Sequence, residues 1–306
     1  MNLLNLIRYK NLFMIAFIQC IIKYVFFELP QFKNANLVTA LDTTSFTCLV
    51  LATICIAAAG YIINDIYDVD ADAINKPQKT IVGKAISEDF ANNLFIGFTV
   101  IGIILGIYVA WQIDKNSFAT IFLLVSALLY WYATSLKQTI LVGNIVISFL
   151  VALSILIVGI FEITPMITPD SRDAYLFMFK FLVDYAIFAF LINLVRELVK
   201  DLEDVDGDHK AGYNTLPIAI GRNRASKIAF GFCVLTIMAV VYYVITYLFE
   251  NQTLLLYFIF LIVGPLSYCA IKLLSAKTKS DFKQLSLILK ITMLLGICSM
   301  ILLKFI

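Results

Sequence analysis

Two stretches of the chain carry carboxylates at the same offsets. NDIYDVDAD at 64–72 places them at Asp65, Asp68 and Asp72; KDLEDVDGD at 200–208 places them at Asp201, Asp204 and Asp208. Steps of three and then four stack side chains on one face of a helix. Each copy is therefore expected to aim three carboxylates, with Asn64 or Lys200 beside them, at one small volume. Carboxylates gathered in this way repel one another unless divalent cations sit between them. Oxygen-only ligands with no Cys or adjoining His suit Mg²⁺ or Ca²⁺ rather than zinc.

A calcium-loop reading fails. Asp68-x-Asp70-x-Asp72 and Asp204-x-Asp206-x-Asp208 imitate its opening, but the sixth positions are Ala73 and His209 in place of Gly. The twelfth are Lys79 and Thr215 in place of Glu. A cation-coupled membrane transporter is a second reading, because carboxylates inside membranes mark ion paths. Transport carboxylates lie near the bilayer midplane, however, and these lie at the ends of apolar runs among lysines. Acidic clusters mixed with Lys76, Lys79, Lys137, Lys200, Lys210 and Arg222 make chemical sense when the bound species is a metal-bridged polyanion. A diphosphate fits: Mg²⁺ joins carboxylates to phosphate oxygens, and both metal and lysines gain in value as a departing diphosphate gathers charge.

The elements that position these residues follow from composition. Apolar residues make up 61% and charged residues 14%, and the mean hydropathy is +0.93; a soluble domain has nearer half and a quarter. The chain is expected to be an all-α polytopic membrane protein. A net charge of +2 gives no reason to expect a nucleic-acid partner. Runs of about 20 apolar residues fall near 11–29, 45–63, 90–111, 117–136, 140–160, 174–199, 225–249, 253–274 and 284–306. They predict nine transmembrane helices in one bundle with cap loops, and a first helix that is a retained span, not a cleaved signal. Placing the N-terminus and the even-to-odd loops on one side collects fifteen Lys and Arg against four on the other. That side is expected to be cytoplasmic, with both acidic motifs facing it. Two motif-bearing helices four apart suggest an internal duplication within a single domain spanning 1–306. The six cysteines lie inside apolar runs without metal spacing and read as packing. Gly102-x-x-x-Gly106 reads as a close helix contact.

Taken together, NDIYDVDAD with NKPQK after it, YWYATSLKQTILVGN at 130–144 and RELVKDLEDVDGDHKAGYNTLPIAIG at 196–221 resemble the UbiA-type intramembrane prenyltransferases. The likeness runs from Arg8 and Asn11 through the seventh helix. It implies a nine-helix bundle that uses Mg²⁺ to ionise a polyprenyl diphosphate and passes the allylic group to an acceptor. Carried over by position, Asn64, Asp68 and Asp72 resemble the first metal–diphosphate ligands, with Asp65 supporting them, and Asp201, Asp204 and Asp208 resemble the second set. Asp68, Asp72, Asp204 and Asp208 are the expected catalytic carboxylates. Arg8, Asn11, Asn64, Tyr67, Lys76, Lys79, Lys137, Lys200 and Arg222 are the expected substrate contacts. Gln78-Lys79 departs from the pattern, where many relatives have a residue followed by Arg and Pro. Asp70, Glu203 and Asp206 fall off the acidic face and are expected to be solvated, as is His209.

The stretch RELVKDLEDVDGD followed by TLPIAIG looks most like the branch that alkylates geranylgeranylglyceryl phosphate, with geranylgeranyl diphosphate as donor. An aromatic quinone precursor is the alternative acceptor. Membrane lipid is the expected surrounding. An acceptor with its own phosphate needs a further cationic contact, for which Arg8, Arg222 and Arg196 all qualify.

Overall fold

The computed structural model describes residues 2–75, 77–78 and 80–305. Among the described residues nine helical segments are long and apolar enough to cross a membrane: α1 Tyr9–Phe26, α2 Thr43–Tyr67, α3 Glu88–Gln112, α4 Asn116–Thr134, α5 Val142–Met166, α6 Arg172–Lys210, α7 Arg222–Leu248, α8 Gln252–Ser275 and α9 Lys279–Leu302. Eight of them agree with the expected spans to within six residues at each end. The exception is α6, expected to stop at 199. Hydropathy ends where the charges begin, but the backbone continues through Asp, Val, Gly and His of low helix propensity, because packing such as that of the buried Leu202 overrides propensity. At 1.5 Å per residue its 39 residues reach about 58 Å, against about 30 Å of hydrocarbon. The acidic turns thus stand beyond its apolar stretch. The loops after the motifs are correspondingly shorter than the periodicity suggests.

The chain divides into two compact units, residues 1–137 with 154–182, and residues 138–153 with 183–306. Consequently α5 and α6 each give part of their length to both. The first motif belongs to the first unit and the second motif to the second.

In the first unit, α2 and α3 begin on side-chain caps: Asp42 accepts from Ser45 N (2.8 Å) and Ser87 from Phe90 N (3.3 Å). The two helices pack along small residues. A Cβ on Gly102 would lie 2.6 Å from Ile56 Cγ1 and 3.2 Å from Ala52 O, both in α2, and one on Gly106 would strike the Phe122 ring of α4. The expected close contact is thus made on two sides of α3. At the end of α2 away from the motif, Lys23 and Glu162 form an ion pair of 2.7 Å with Glu162 fully buried. Lys23 Nζ also donates to Thr39 Oγ1 (2.9 Å) and Leu41 O (2.7 Å), while Leu41 N donates to Glu162 Oε2 (3.0 Å). The pair therefore fastens the segment between α1 and α2.

The second unit is built around Leu198, Val199, Leu202, Ala229, Cys233, Leu266, Cys269, Leu285 and Leu289, all buried. All six cysteines are unbridged, in keeping with packing roles. Two π-helical turns, Val244–Leu248 in α7 and Ile259–Val263 in α8, interrupt otherwise regular helices.

Two predictions follow from this packing. Gly102→Leu should destabilise the protein by about 1–3 kcal/mol, the usual cost of overpacking a filled interface. Gly97→Leu on the same helix, where an added Cβ meets nothing within 4 Å, should leave the melting temperature in detergent nearly unchanged. Lys23→Met should cost about 3–5 kcal/mol by stranding a buried carboxylate, and adding Glu162→Leu should recover much of that loss; thermal unfolding of the single and double variants measures the difference.

Candidate functional site

The acidic residues of the first unit sit where α2 runs out. Asp68 follows Tyr67 with φ −95° and ψ 6°, and the short helix Val69–Asn75 begins after it. Helical bonding survives the junction, since Asp68 N donates to Asn64 O (2.9 Å) and Asp72 N to Asp68 O (2.7 Å). The spacing of three and then four is therefore kept across a break that the sequence did not announce. Asn64 Nδ2 donates to Asp68 Oδ2 at 2.7 Å, and Lys137 Nζ lies 2.5 Å from Asp68 Oδ1 and 3.4 Å from Asn64 Oδ1. The Lys137 side chain is only 8% exposed. Its ammonium replaces for Asp68 the water that burial removes.

Asp65 has a different partner. Arg8 Nη2 donates to its Oδ1 at 2.7 Å, and the guanidinium lies 5.0 Å from the Tyr61 ring centroid. Arg8 reaches this position from the joint between the helix Asn2–Leu6 and α1, where its backbone is left-handed at φ 51°. That conformation is costly for a residue with a side chain. Burial works against its charge, but the adjacent Asp65 and Tyr61 outweigh it and push the Arg8 pKa above its ordinary value. Asn11 lies three residues further on, with its N–H on Arg8 O at 2.7 Å. Tyr67 is exposed, its ring perpendicular to that of Tyr130 at 6.5 Å. Lys76 and Lys79 lie outside the described residues.

In the second unit the whole motif rides on one uninterrupted helix, α6. Asp201 Oδ2 accepts from Asn144 Nδ2 at 2.8 Å. Behind that contact Ser148 Oγ donates to Asn144 O (2.6 Å) and Asn193 Nδ2 to Ser148 Oγ (3.2 Å), so a polar ladder runs between the first turns of α5 and the second half of α6. Lys200 Nζ sits 3.0 Å from each oxygen of the buried Glu197, one turn before Asp201. Arg196 Nη1 donates to Glu197 Oε1 at 2.9 Å. Asp204 and Asp208 are half-buried on the same face, while Asp206 and His209 are exposed as expected. Arg222 lies 3.6 Å from Asp206. Tyr213 N closes the last turn of α6 onto Asp208 O at 2.9 Å, aided by Gly212 at φ 78°.

The expectation that each copy gathers three carboxylates in one small volume is not met. Among the described residues no group of three or more Asp, Glu, His or Cys is close enough to hold a metal by itself. Repulsion explains the separation: Asp65, Asp68 and Asp201 each turn to a cation or amide of their own. The donor set still fits Mg²⁺, because carboxylate and amide oxygens are hard ligands. That ion is also held through one or two carboxylates together with substrate phosphates, not by an all-protein cage.

Asn144, Ser148 and Asn193 were not picked out from the sequence as site residues, and Glu197 was noted only as a neighbour. A signal existed, for Asn193, Glu197, Asp201, Asp204 and Asp208 continue one helical stripe inward, and Asn144 and Ser148 are a turn apart in an apolar run.

Residues 37–294 match the model of the UbiA prenyltransferase family. The digeranylgeranylglyceryl phosphate synthase of Saccharolobus solfataricus is 32% identical over 249 residues, covering 81% of this chain and 80% of that one. A solved structure described as a digeranylgeranylglyceryl phosphate synthase in membranes has a TM-score of 0.62 at 22% identity, covering 100% of this chain and 98% of its own. A UbiA homolog from Archaeoglobus fulgidus bound to DMAPP and Mg²⁺ has a TM-score of 0.62 at 15% identity, covering 98% and 99%. Those two likenesses bear on the fold, which is shared from end to end. With the acidic motifs, the helix order and a family match over most of the sequence all in agreement, the chain belongs to the UbiA prenyltransferase family.

Proposed function

We propose that this integral membrane protein moves a geranylgeranyl group from its diphosphate to the free hydroxyl of geranylgeranylglyceryl phosphate. The observation that carries this reading is the 32% identity, over four-fifths of both chains, with a digeranylgeranylglyceryl phosphate synthase. In the transfer, the C1–O bond of the donor breaks and its electron pair leaves with diphosphate. The acceptor oxygen forms the new bond to C1, and the hydroxyl proton passes to the departing diphosphate or to a motif carboxylate. Mg²⁺, when bound, supplies neutralisation of the charge that gathers on the diphosphate.

Asp68, Asp72, Asp204 and Asp208, with Asn64, Asp65 and Asp201, are the residues that would hold it. Asp65 and Asp201 are steadied by Arg8 and Asn144, which limits how far their carboxylates can turn. Lys137 keeps a positive charge at Asp68 and offers it to diphosphate oxygens; Lys76, Lys79 and Lys200 add to that charge. Tyr67, Asn11 and Arg222 complete the substrate contacts. The excess of Lys and Arg in the loops at the motif ends supports a cytoplasmic N-terminus and a cytoplasmic site. The chain acts as one catalytic domain in which both acidic motifs serve the same transfer.

The test is a membrane assay with labelled geranylgeranyl diphosphate, offering geranylgeranylglyceryl phosphate, 1,4-dihydroxy-2-naphthoate and 4-hydroxybenzoate in parallel. Label should enter the ether product, and excess EDTA should stop it. Asp68→Ala and Asp204→Ala should each lower the rate by more than about 10²-fold, the scale on which a single electrostatic contact to a transition state counts, with helical circular dichroism retained. Label confined to an aromatic product would reassign the acceptor; full activity in either variant would refute the metal–diphosphate mechanism.

A further inference from the structure

Resting on that reading, the acceptor carries an anion of its own, and its charge must be met apart from the diphosphate. Three arginines qualify by sequence, and the structure separates them. Arg8 is committed to Asp65 at 2.7 Å. Arg222 is 3.6 Å from Asp206, whose side chain is 75% exposed, and is itself 36% exposed, so an anion there competes with water and salt. Arg196 is different. Its side chain is 18% exposed, and it stands five residues before Asp201, about 7.5 Å further into the apolar part of α6.

Arg196 also belongs to a small charged group one turn inward of the second acidic motif. Glu197, whose side chain is 10% exposed, accepts from Arg196 Nη1 at 2.9 Å and from Lys200 Nζ at 3.0 Å. Glu197 is thereby met by two cations in a place where charge is expensive. Arg196 Nε is buried and has no hydrogen-bond partner among the described residues. A guanidinium donor left unsatisfied in such surroundings is worth most to a ligand that brings an oxyanion. In the first copy of the motif the position equivalent to Glu197 is Tyr61, so this charged group belongs to the second copy alone.

The geometry points to Arg196, with Lys200 beside it and Glu197 orienting both, as the contact for the acceptor's anionic group: a phosphate on a glyceryl lipid, or a carboxylate on an aromatic acceptor. The acceptor is thereby distinguished from its uncharged counterpart. Arg196 is a specificity residue and takes no part in breaking the C1–O bond.

The full-length protein in lipid nanodiscs, supplied with Mg²⁺ and labelled geranylgeranyl diphosphate, tests this with two acceptors, geranylgeranylglyceryl phosphate and geranylgeranylglycerol. Arg196→Gln should raise KM for the phosphorylated acceptor by about 10- to 100-fold, the size of one charge-assisted hydrogen bond. The donor KM should hold, as should turnover of the uncharged alcohol, so that the preference for the phosphate collapses. Arg196→Lys should restore part of that preference. An unchanged preference in Arg196→Gln overturns the assignment, and so does its collapse in Arg222→Gln alone. Should Arg196→Gln be inactive on both acceptors, Arg196→Lys decides: a preference for the phosphate kept in part supports the contact, and an equal loss on both acceptors overturns it. Transfer by the wild type to 4-hydroxybenzoate alone refutes the lipid acceptor but not the anion contact. The contact is then read from the same variants with 4-hydroxybenzoate against 4-hydroxybenzamide.

Discussion

A carboxylate carried into an apolar helix bundle must find there the partner that water would have been. Stripping it of water without compensation costs far more than a protein's whole stability margin, so the positions of the compensating groups constrain everything around them. Arg8 serves Asp65, Lys137 and Asn64 serve Asp68, Asn144 serves Asp201, and Arg196 with Lys200 serves Glu197. None of these partners is within the acidic offsets themselves except Asn64 and Lys200. The acidic motif thus explains only part of its own environment. Other helices, the 135–141 turn and the residue before α1 are drawn into place by the need to neutralise it.

The two copies of the motif solve this need in different ways. In the first, α2 stops and a short helix takes over at Asp68, so the motif spans a joint whose helical hydrogen bonds are nevertheless continuous. Its partners are two full cations, Arg8 and Lys137. In the second, a single helix of 39 residues carries everything, and the deepest motif carboxylate, Asp201, is met by a neutral amide backed by Ser148 and Asn193. Such a chain of donors fixes orientation without adding charge. Equal spacing in sequence therefore does not imply equal electrostatics.

Away from the motifs the helices are held by contacts that need no charge. Gly102 and Gly106 let α3 approach α2 and α4 closely, which in a membrane is a main source of helix affinity because lipid is as apolar as the side chains. Lys23 and Glu162 are the exception, a buried pair that fastens the segment 39–41 through both side-chain and backbone bonds.

The sequence by itself determined the number and approximate extent of the helices, because runs of about 20 apolar residues report directly on the thickness they must cross. It also determined the two acidic motifs, the hard-oxygen chemistry they imply, and the tight contact at Gly102. Only the tertiary structure decided which group neutralises which carboxylate. Those pairings join Arg8 to Asp65, Lys137 to Asp68 and Asn144 to Asp201 across 57, 69 and 57 residues, separations over which local periodicity carries no information. The end of α6 was hidden for a related reason: hydropathy records the solvent around a helix, whereas its continuation past Val199 depends on backbone hydrogen bonds and on packing such as that of Leu202, which override a low helix propensity. Lys200 shows the limit most clearly. Its place in the motif points to the carboxylates that follow it, but spacing alone does not say that Glu197, one turn earlier and buried, also holds its ammonium.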